Sequence, residues 1–318
     1  METSVANSQA PTGTAIHAVP AQTSPRIGAE SHSLGSASPF RIFHLASLDA
    51  PTVAVVWALA FAWAASVHLP LWAPIALWLV AWTLYIADRL LDARPCRDCG
   101  AGNRFANASR LQDRHHFHWR HRRVLGALAA ASAIAAAVLV FAFMPSASMK
   151  HNSILAAATI AYFTGVHTSP ALSTRRLLRF PRISKELLVG LLFTAGCALP
   201  AWSRIPGFGL SWTWLLPITF FALLGWLDCY AIERWEANGT AHSKPQILLP
   251  AVLLGSAGLM LCFVLASTHP RQAALLVAGL GSVVLLALLD GLQARLSPLA
   301  LRAAADLVLL TPLALLWR

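Results

Sequence analysis

Charged residues are scarce in this sequence. Only 12% of its 318 residues are Asp, Glu, Lys or Arg, whereas 57% are hydrophobic. Because about a quarter of the residues in a soluble domain are charged, this composition argues against one. The five cysteines are too few and too widely spaced for the disulfide framework of a small secreted domain. No period of roughly 20–50 residues repeats along the chain, which excludes a soluble repeat array.

The hydrophobic residues occur in blocks of about 20 residues, the length that crosses roughly 30 Å of hydrocarbon. These blocks are rich in Ala and Leu and show no alternation of apolar and polar residues. Since only helices and closed barrels satisfy their backbone groups in lipid, we expect helices. The sequence predicts an all-α, polytopic membrane protein with about nine transmembrane helices. The predicted spans are 51–70, 72–92, 123–144, 152–169, 185–202, 211–233, 246–267, 271–291 and 298–317.

The first 45 residues differ in composition from the rest of the chain. Residues 1–45 are rich in Ser, Ala, Pro, Thr and Gly and contain no apolar run. Such a composition is typical of disorder, so we expect a disordered cytoplasmic tail. The transmembrane domain is then expected over residues 46–318, with a long cytoplasmic loop at 93–122.

The basic residues indicate an orientation for the chain in the membrane. With a cytoplasmic N-terminus and nine spans, all 24 Lys and Arg residues fall on the cytoplasmic side except Lys150, Arg204, Arg271 and Arg318. Cytoplasmic loops carry such an excess of positive charge. We therefore expect a multi-pass protein of a bacterial-type inner membrane, with its C-terminus outside. The net charge of +11 is explained by these loops and the lipid bilayer, so nucleic acid is not expected. No obligate protein partner is evident from the sequence.

Acidic residues stand at the cytoplasmic ends of the second and sixth predicted spans. Asp88 and Asp92 are four residues apart, so their carboxylates share one face of a helix. Asp228, Glu233 and Glu236 occupy the corresponding end of the sixth span. Ionisable residues in such places are costly and mark functional sites, and Mg²⁺ commonly bridges one or two carboxylates to substrate phosphates. The alternative is that neighbouring arginines neutralise these acids at the membrane surface.

The number of helices, their orientation and the position of these acids together resemble the UbiA superfamily of intramembrane prenyltransferases. The resemblance covers about residues 47–317 and marks a divergent member. The first acidic motif of that family reads Asn-Asp-x-x-Asp-x-x-x-Asp, and Asp88 and Asp92 match its last two acids. Leu84 and Tyr85 stand in place of the Asn and the first Asp. The resemblance implies a UbiA-like bundle and Mg²⁺-dependent transfer of a prenyl group from a prenyl diphosphate to a lipophilic acceptor.

The resemblance also implies roles for individual residues, with no catalytic residue distinct from the metal site. The implied metal ligands are Asp88, Asp92, Asp228 and Glu236. The residues expected to neutralise the diphosphate are Arg89, Arg175, Arg176, Arg179 and Lys185. The candidates for the lining of a substrate cavity are Tyr85, Glu233, Arg302 and Asp306. For the last two, four residues apart in the ninth span, the alternative is an ion pair that holds helices together.

The loop at 93–122 contains a second potential metal site. Two thiols and two imidazoles are a plausible tetrahedral zinc set, and this loop offers Cys96, Cys99, His118 and His121. The alternative is a basic, His-rich loop that rests on the membrane surface. Zinc is therefore not among the expected cofactors, whereas Mg²⁺ is.

A second hypothesis is a non-catalytic lipid-binding or transport protein that reuses the UbiA fold. The incomplete first motif favours this hypothesis. However, transporters bind their substrates near the middle of the membrane at broken helices. The acids of this chain instead cluster at the ends of predicted helices, which favours a diphosphate site that opens to the cytoplasm.

Overall fold

The computed structural model describes residues 46–92, 118–167, 184–205, 211–238 and 245–317. Within these ranges all regular structure is helical and no strand occurs, which confirms the all-α prediction. The predicted tail 1–45 and most of the predicted loop 93–122 lie outside the described residues. The helices are α1 Asp49–Ala65, α2 Trp72–Asp92, α3 Arg122–Phe143, α4 Ser146–His167, α5 Lys185–Trp202, α6 Trp212–Asn238, α7 Leu248–Ala266, α8 Pro270–Leu292, α9 Pro298–Val308 and α10 Leu313–Leu316.

Six of the helices in the described ranges are long and apolar enough to cross a membrane, namely α2, α3, α5, α6, α7 and α8. Helix α1 is apolar but has only 17 residues. Helix α4 has 22 residues but begins with a polar turn that includes Lys150, His151 and Asn152. By length and composition, six apolar helices indicate a multi-pass membrane protein. Nine crossings are not confirmed.

The last predicted span, 298–317, is not one continuous helix. Helix α9 ends at Val308, and α10 begins only at Leu313. Pro312 has no backbone N–H, so it cannot donate the helical hydrogen bond to the carbonyl four residues earlier. The prediction of a single helix over 298–317 is corrected by this break.

The carbonyl groups released at the break accept hydrogen bonds from other helices. The indole Nε1 of Trp57 on α1 donates to the carbonyl of Leu309 at 2.8 Å. The hydroxyl of Ser282 on α8 donates to the carbonyl of Val308, also at 2.8 Å. Buried carbonyls must find such partners where no water reaches them. These hydrogen bonds therefore hold α1 and α8 to the segment between α9 and α10.

Aromatic side chains form the centre of the core, where α1, α5, α6 and α8 meet. Trp57, Phe61, Phe220 and Phe221 are fully or almost fully buried. The rings of Trp57 and Phe221 meet edge to face with centroids 4.8 Å apart, and those of Phe61 and Phe221 lie 5.2 Å apart. Edge-to-face pairs stabilise beyond the area that they bury. This cluster fixes α1 against α6.

Helices α5 and α6 cross where two glycines face each other. A Cβ atom on Gly190 would lie 2.5 Å from the carbonyl oxygen of Ala222 and 2.7 Å from the backbone nitrogen of Trp226. A Cβ atom on Gly225 would lie 3.3 Å from the Cα of Gly190. Small residues let membrane helices approach this closely. The crossing brings the beginning of α5 next to the end of α6.

Replacing Gly190 by Ala should therefore destabilise the protein, because the added methyl group meets backbone atoms that cannot move away. We expect a loss of roughly 1–3 kcal/mol, the usual cost of overpacking. Gly196→Ala is the matched control on the same helix, since nothing lies within 4 Å of its added Cβ. Thermal unfolding of the purified protein in detergent measures both, and equal midpoints for the two variants would contradict the close crossing.

Candidate functional site

Acidic and basic side chains from several helices meet at one end of the bundle. Lys185 at the beginning of α5 has its Nζ 3.6 Å from Glu233 Oε1 near the end of α6. Arg302 at the beginning of α9 has its Nη1 2.7 Å from Glu236 Oε1, also on α6. These contacts place the beginnings of α5 and α9 beside the end of α6. We call this region the acidic end of the bundle.

Three carboxyl groups are buried at the acidic end, and we call them the acid trio: Asp49, Asp228 and Asp306. They belong to α1, α6 and α9 and are 6%, 5% and 8% exposed. Asp49 and Asp306 share a side-chain hydrogen bond, and each interacts electrostatically with Asp228. Negative charges this close repel strongly in a buried environment. A proton or nearby positive charge reduces this repulsion.

Asp228 leaves one of its oxygens without a partner. Its Oδ1 atom is buried and receives no hydrogen bond in the described structure. A buried acceptor that loses its hydrogen bonds to water costs about 1–3 kcal/mol, and more when it is charged. An acceptor of this kind is satisfied by an ordered water molecule, an ion or a ligand where one is bound. The atom is an open acceptor inside the acid trio.

Two buried or half-buried arginines flank the acid trio. Arg89 on α2 donates from Nη2 to the hydroxyl of Tyr85 at 2.7 Å and lies 4.6 Å above the centre of its ring. Arg89 also attracts Asp88 and Asp306 electrostatically. Arg302 binds Glu236, and its Nε atom is buried without a hydrogen-bond partner. Positive charge thus approaches the trio from α2 and from α9.

The predicted metal ligands do not all meet in one place. Asp228 lies in the acid trio, whereas Asp88 interacts with Arg89 and Glu236 binds Arg302. Asp92 is the last residue of α2, and its side chain lies outside the described part of the structure. Among the described residues, no three or more His, Cys, Asp or Glu side chains are arranged to hold a metal ion. Mg²⁺ commonly uses only one or two carboxylates together with water and substrate phosphates, so the fit is limited to one or two of these acids, of which Asp228 offers an open oxygen.

The remaining predicted residues fall into three groups. Tyr85 and Asp306 belong to the site, since the Tyr85 hydroxyl interacts electrostatically with both Asp306 and Asp49. Lys185 is largely exposed and pairs with Glu233 and with Glu186 at its side, at the rim of the acidic end. The other residues predicted to bind diphosphate, Arg175, Arg176 and Arg179, lie outside the described residues.

The sequence prediction did not include Asp49. This residue opens α1, and its Oδ1 accepts a hydrogen bond from the backbone N–H of Ala50 at 3.0 Å. An acid in the first turn of a helix is ordinary, because it is favoured by the helix dipole. Only the tertiary packing of α1 against α9 shows that this carboxyl group faces other acids.

Asp290 is a buried acid with a structural role. Its Oδ1 accepts from the indole of Trp235 at 2.8 Å, and its Oδ2 accepts from the backbone N–H groups of Gln246 and Ile247 at 2.6 and 2.9 Å. These bonds tie the end of α8 to the end of α6 and the beginning of α7. Both oxygens are used, so Asp290 contrasts with Asp228.

His118 lies just before α3 and is buried beside the acidic end. Its Nε2 is 3.5 Å from the hydroxyl of Ser47. Burial, followed by the charges of Arg89 and His121, lowers the pKa of His118 to about 4. The other members of the predicted zinc set, Cys96 and Cys99, lie outside the described residues, so that set stays a prediction.

No protein family, curated protein or solved structure matches this chain. The chemistry of the site is therefore judged from its own residues.

The lowered pKa of His118 predicts a specific dependence of stability on pH. An unfolded His has a pKa of about 6.5, so between about pH 6.5 and 4 the unfolded chain binds the additional proton. The stability that neutral His118 contributes is therefore fully present above that range. As the pH falls through the range, roughly 1–3 kcal/mol of this stability is lost. His118→Gln should thus show a flatter fall of the unfolding midpoint between pH 7 and 4.5. His151→Gln, at an exposed position on α4, serves as the control; parallel curves for wild type and His118→Gln would refute this account.

Proposed function

We propose that this chain is a UbiA-like integral membrane prenyltransferase with a nine-helix bundle. It transfers a prenyl group from a prenyl diphosphate to a lipophilic acceptor in a Mg²⁺-dependent reaction. The observation that carries the proposal is the meeting of acids and arginines from α2, α6 and α9. Arg89 on α2 interacts with Asp306, and Asp306 interacts in turn with Asp228 on α6.

The chemistry of the donors supports a metal-bound diphosphate as the ligand. The carboxylate oxygens of Asp88 and Asp228 are hard ligands of the kind that Mg²⁺ selects, and the buried Oδ1 of Asp228 is open to one. Bound Mg²⁺ would neutralise charge on the diphosphate and so make it a better leaving group. In the proposal, Asp92 and Glu236 remain additional ligands.

The arginines of the acidic end suit the remaining charge of the diphosphate. Guanidinium groups bind phosphate oxygens through two parallel hydrogen bonds. Arg89 is held in position by Tyr85, and Arg302 by Glu236, so each is oriented before any ligand binds. Proposed further contributors to diphosphate binding are Lys185, Arg175, Arg176 and Arg179. The apolar helices would surround the isoprenoid tail and exclude water from the reacting carbon.

Loss of the Asp228 carboxylate should abolish most of this activity. We expect Asp228→Asn to consume prenyl diphosphate at least about 100-fold more slowly, because a charge partner of the transition state is removed. The measurement is release of inorganic diphosphate from geranyl, farnesyl and longer prenyl diphosphates with Mg²⁺, in membranes supplied with aromatic acceptors. Arg271→Gln is the control. Arg271 lies at the beginning of α8, away from the acidic end, and binds the Ser66 hydroxyl. The proposal would be refuted if the wild-type protein neither bound nor consumed any prenyl diphosphate.

A lipid-binding or transport function is the second candidate. The break between α9 and α10 favours it, because discontinuous helices line the substrate sites of many transporters. However, the carbonyls of Val308 and Leu309 at the break already accept hydrogen bonds from Ser282 and Trp57, so they connect helices of the bundle. Tight binding of a prenyl diphosphate without any turnover would favour this candidate over the enzyme.

We further propose that the N-terminus is cytoplasmic and the C-terminus lies outside, in a bacterial-type inner membrane. The distribution of Lys and Arg supports this orientation. Alkaline phosphatase requires disulfides that form only outside the cytoplasm. A C-terminal fusion to it should therefore be active, whereas an N-terminal fusion should be inactive. Activity at neither terminus or at both would mean an even number of crossings.

A further inference from the structure

We propose that the beginning of α3 carries a binding surface for the headgroups of anionic phospholipids. The surface consists of Trp119, Arg120, Arg122 and Arg123, which we call the basic collar. The proposal rests on the membrane character of the helices and is independent of the proposed prenyl transfer.

The basic collar exposes positive charge that the described part of the chain does not compensate. All four of its side chains are exposed. No Asp or Glu occurs in the sequence between Asp113 and Glu186. Among the described residues, none forms an ion pair with any of the three arginines of the collar. Three positive charges therefore stand together on one surface.

Basic side chains on other helices differ from the basic collar in having acidic partners. Arg302 on α9 binds Glu236 at 2.7 Å. Lys185 on α5 lies 3.6 Å from Glu233 and 3.5 Å from Glu186. These pairs use the positive charge inside the protein. The charge of the collar is instead directed outward, where it attracts an anion from outside the chain.

Trp119 and Arg122 form a unit that suits the level of lipid headgroups. The guanidinium carbon of Arg122 lies 4.4 Å from the centre of the Trp119 ring, and its Nη1 donates to the Trp119 carbonyl at 3.0 Å. Trp side chains are enriched at the boundary between membrane and water. The remaining N–H groups of the guanidinium can bind phosphate oxygens. This pair therefore matches a phosphate that is held at a membrane surface.

Exposed apolar side chains follow the basic collar directly along α3. Val124 and Leu128 are 60% and 50% exposed, as expected of side chains that face lipid. On the opposite face of the helix, Leu125 packs with Ile86 of α2. The change from arginine to exposed apolar residues places the collar where hydrocarbon meets headgroups. A phospholipid offers both parts of the required partner, acyl chains for α3 and a phosphate for the collar.

The residue before the basic collar is anchored in the bundle. His118 is only 2% exposed, and its Nε2 lies 3.5 Å from the hydroxyl of Ser47. The neighbouring carbonyl of Ala46 accepts a hydrogen bond from the indole of Trp82 on α2 at 3.0 Å. These contacts give the collar a defined position relative to α1 and α2. A surface that is already ordered loses less conformational entropy when it binds a ligand.

Photocrosslinking of phosphatidylglycerol to the full-length protein in detergent tests the proposal. The probe carries a photoreactive group near its glycerol backbone, and mass spectrometry quantifies its attachment to peptides that contain residues 118–128. Each arginine near a membrane surface raises the affinity for anionic lipid roughly fivefold. We therefore expect a triple variant, with Arg120→Gln, Arg122→Gln and Arg123→Gln, to have an affinity lower on the order of 100-fold. Raised salt should weaken attachment to wild type as well.

Arg234→Gln is the matched control. Arg234 is also exposed and lies 5.0 Å from the centre of the Tyr230 ring, but it stands between Glu233 and Glu236 in the sequence. This variant should leave the attachment of phosphatidylglycerol to the basic collar unchanged. A second triple variant with Lys at the three arginine positions retains the charge and should retain most of the attachment. This contrast separates loss of charge from loss of the fold.

Three results would overturn the proposal. The first is equal attachment of a zwitterionic phosphatidylcholine probe to the same peptides. The second is unchanged attachment of phosphatidylglycerol to the triple Gln variant. The third is complete competition by soluble glycerol phosphate, which would identify a site for free phosphate and not for a lipid. Attachment that is selective for phosphatidylglycerol, and that the triple Gln variant loses while the Lys variant keeps it, would support the proposal.

Discussion

The organisation of this molecule depends on how buried carboxylates are compensated inside an apolar bundle. Water cannot reach these groups, so the charge of each carboxylate must be compensated by a hydrogen-bond donor, a nearby positive charge or a proton. Asp290 obtains three N–H donors and thereby joins three helices. Glu236, whose side chain is 33% exposed, pairs with the guanidinium of Arg302 at the edge of this region. Asp228 obtains no donor for its Oδ1 from the described residues, so one buried acceptor of the bundle stays uncompensated there.

The positions of these acids follow from contacts far from them. The close approach of Gly190 to Gly225 sets the distance between α5 and α6, and the packing of Trp57 on Phe221 sets α1 against α6. Both contacts are apolar and lie in the body of the bundle. Because helices are stiff, these two contacts determine where the end of α6 and the beginning of α1 lie. The acid trio is therefore a consequence of core packing, and Asp49 reaches it only through α1.

Apolar blocks and prolines predicted the helices well, since hydrophobic length is a local property. The predicted spans 72–92 and 185–202 coincide with α2 and α5, and most other boundaries differ by a few residues. Pro312 was a local signal of the break after Val308, but the length of the apolar block concealed it. The partners of the acids were not predictable, because they are set by packing. Arg302 and Asp306 share a helix face, yet the guanidinium of Arg302 binds Glu236 on α6.

The charged groups at the acidic end come from several helices. Tyr85 removes a carboxylate from α2 but orients Arg89, whose charge then acts on Asp306. Asp49 and Asp306 bring carboxylates to the same region from α1 and α9. Because a reading along one helix cannot detect what other helices contribute, the sequence of α2 alone understates how acidic this end of the folded chain is.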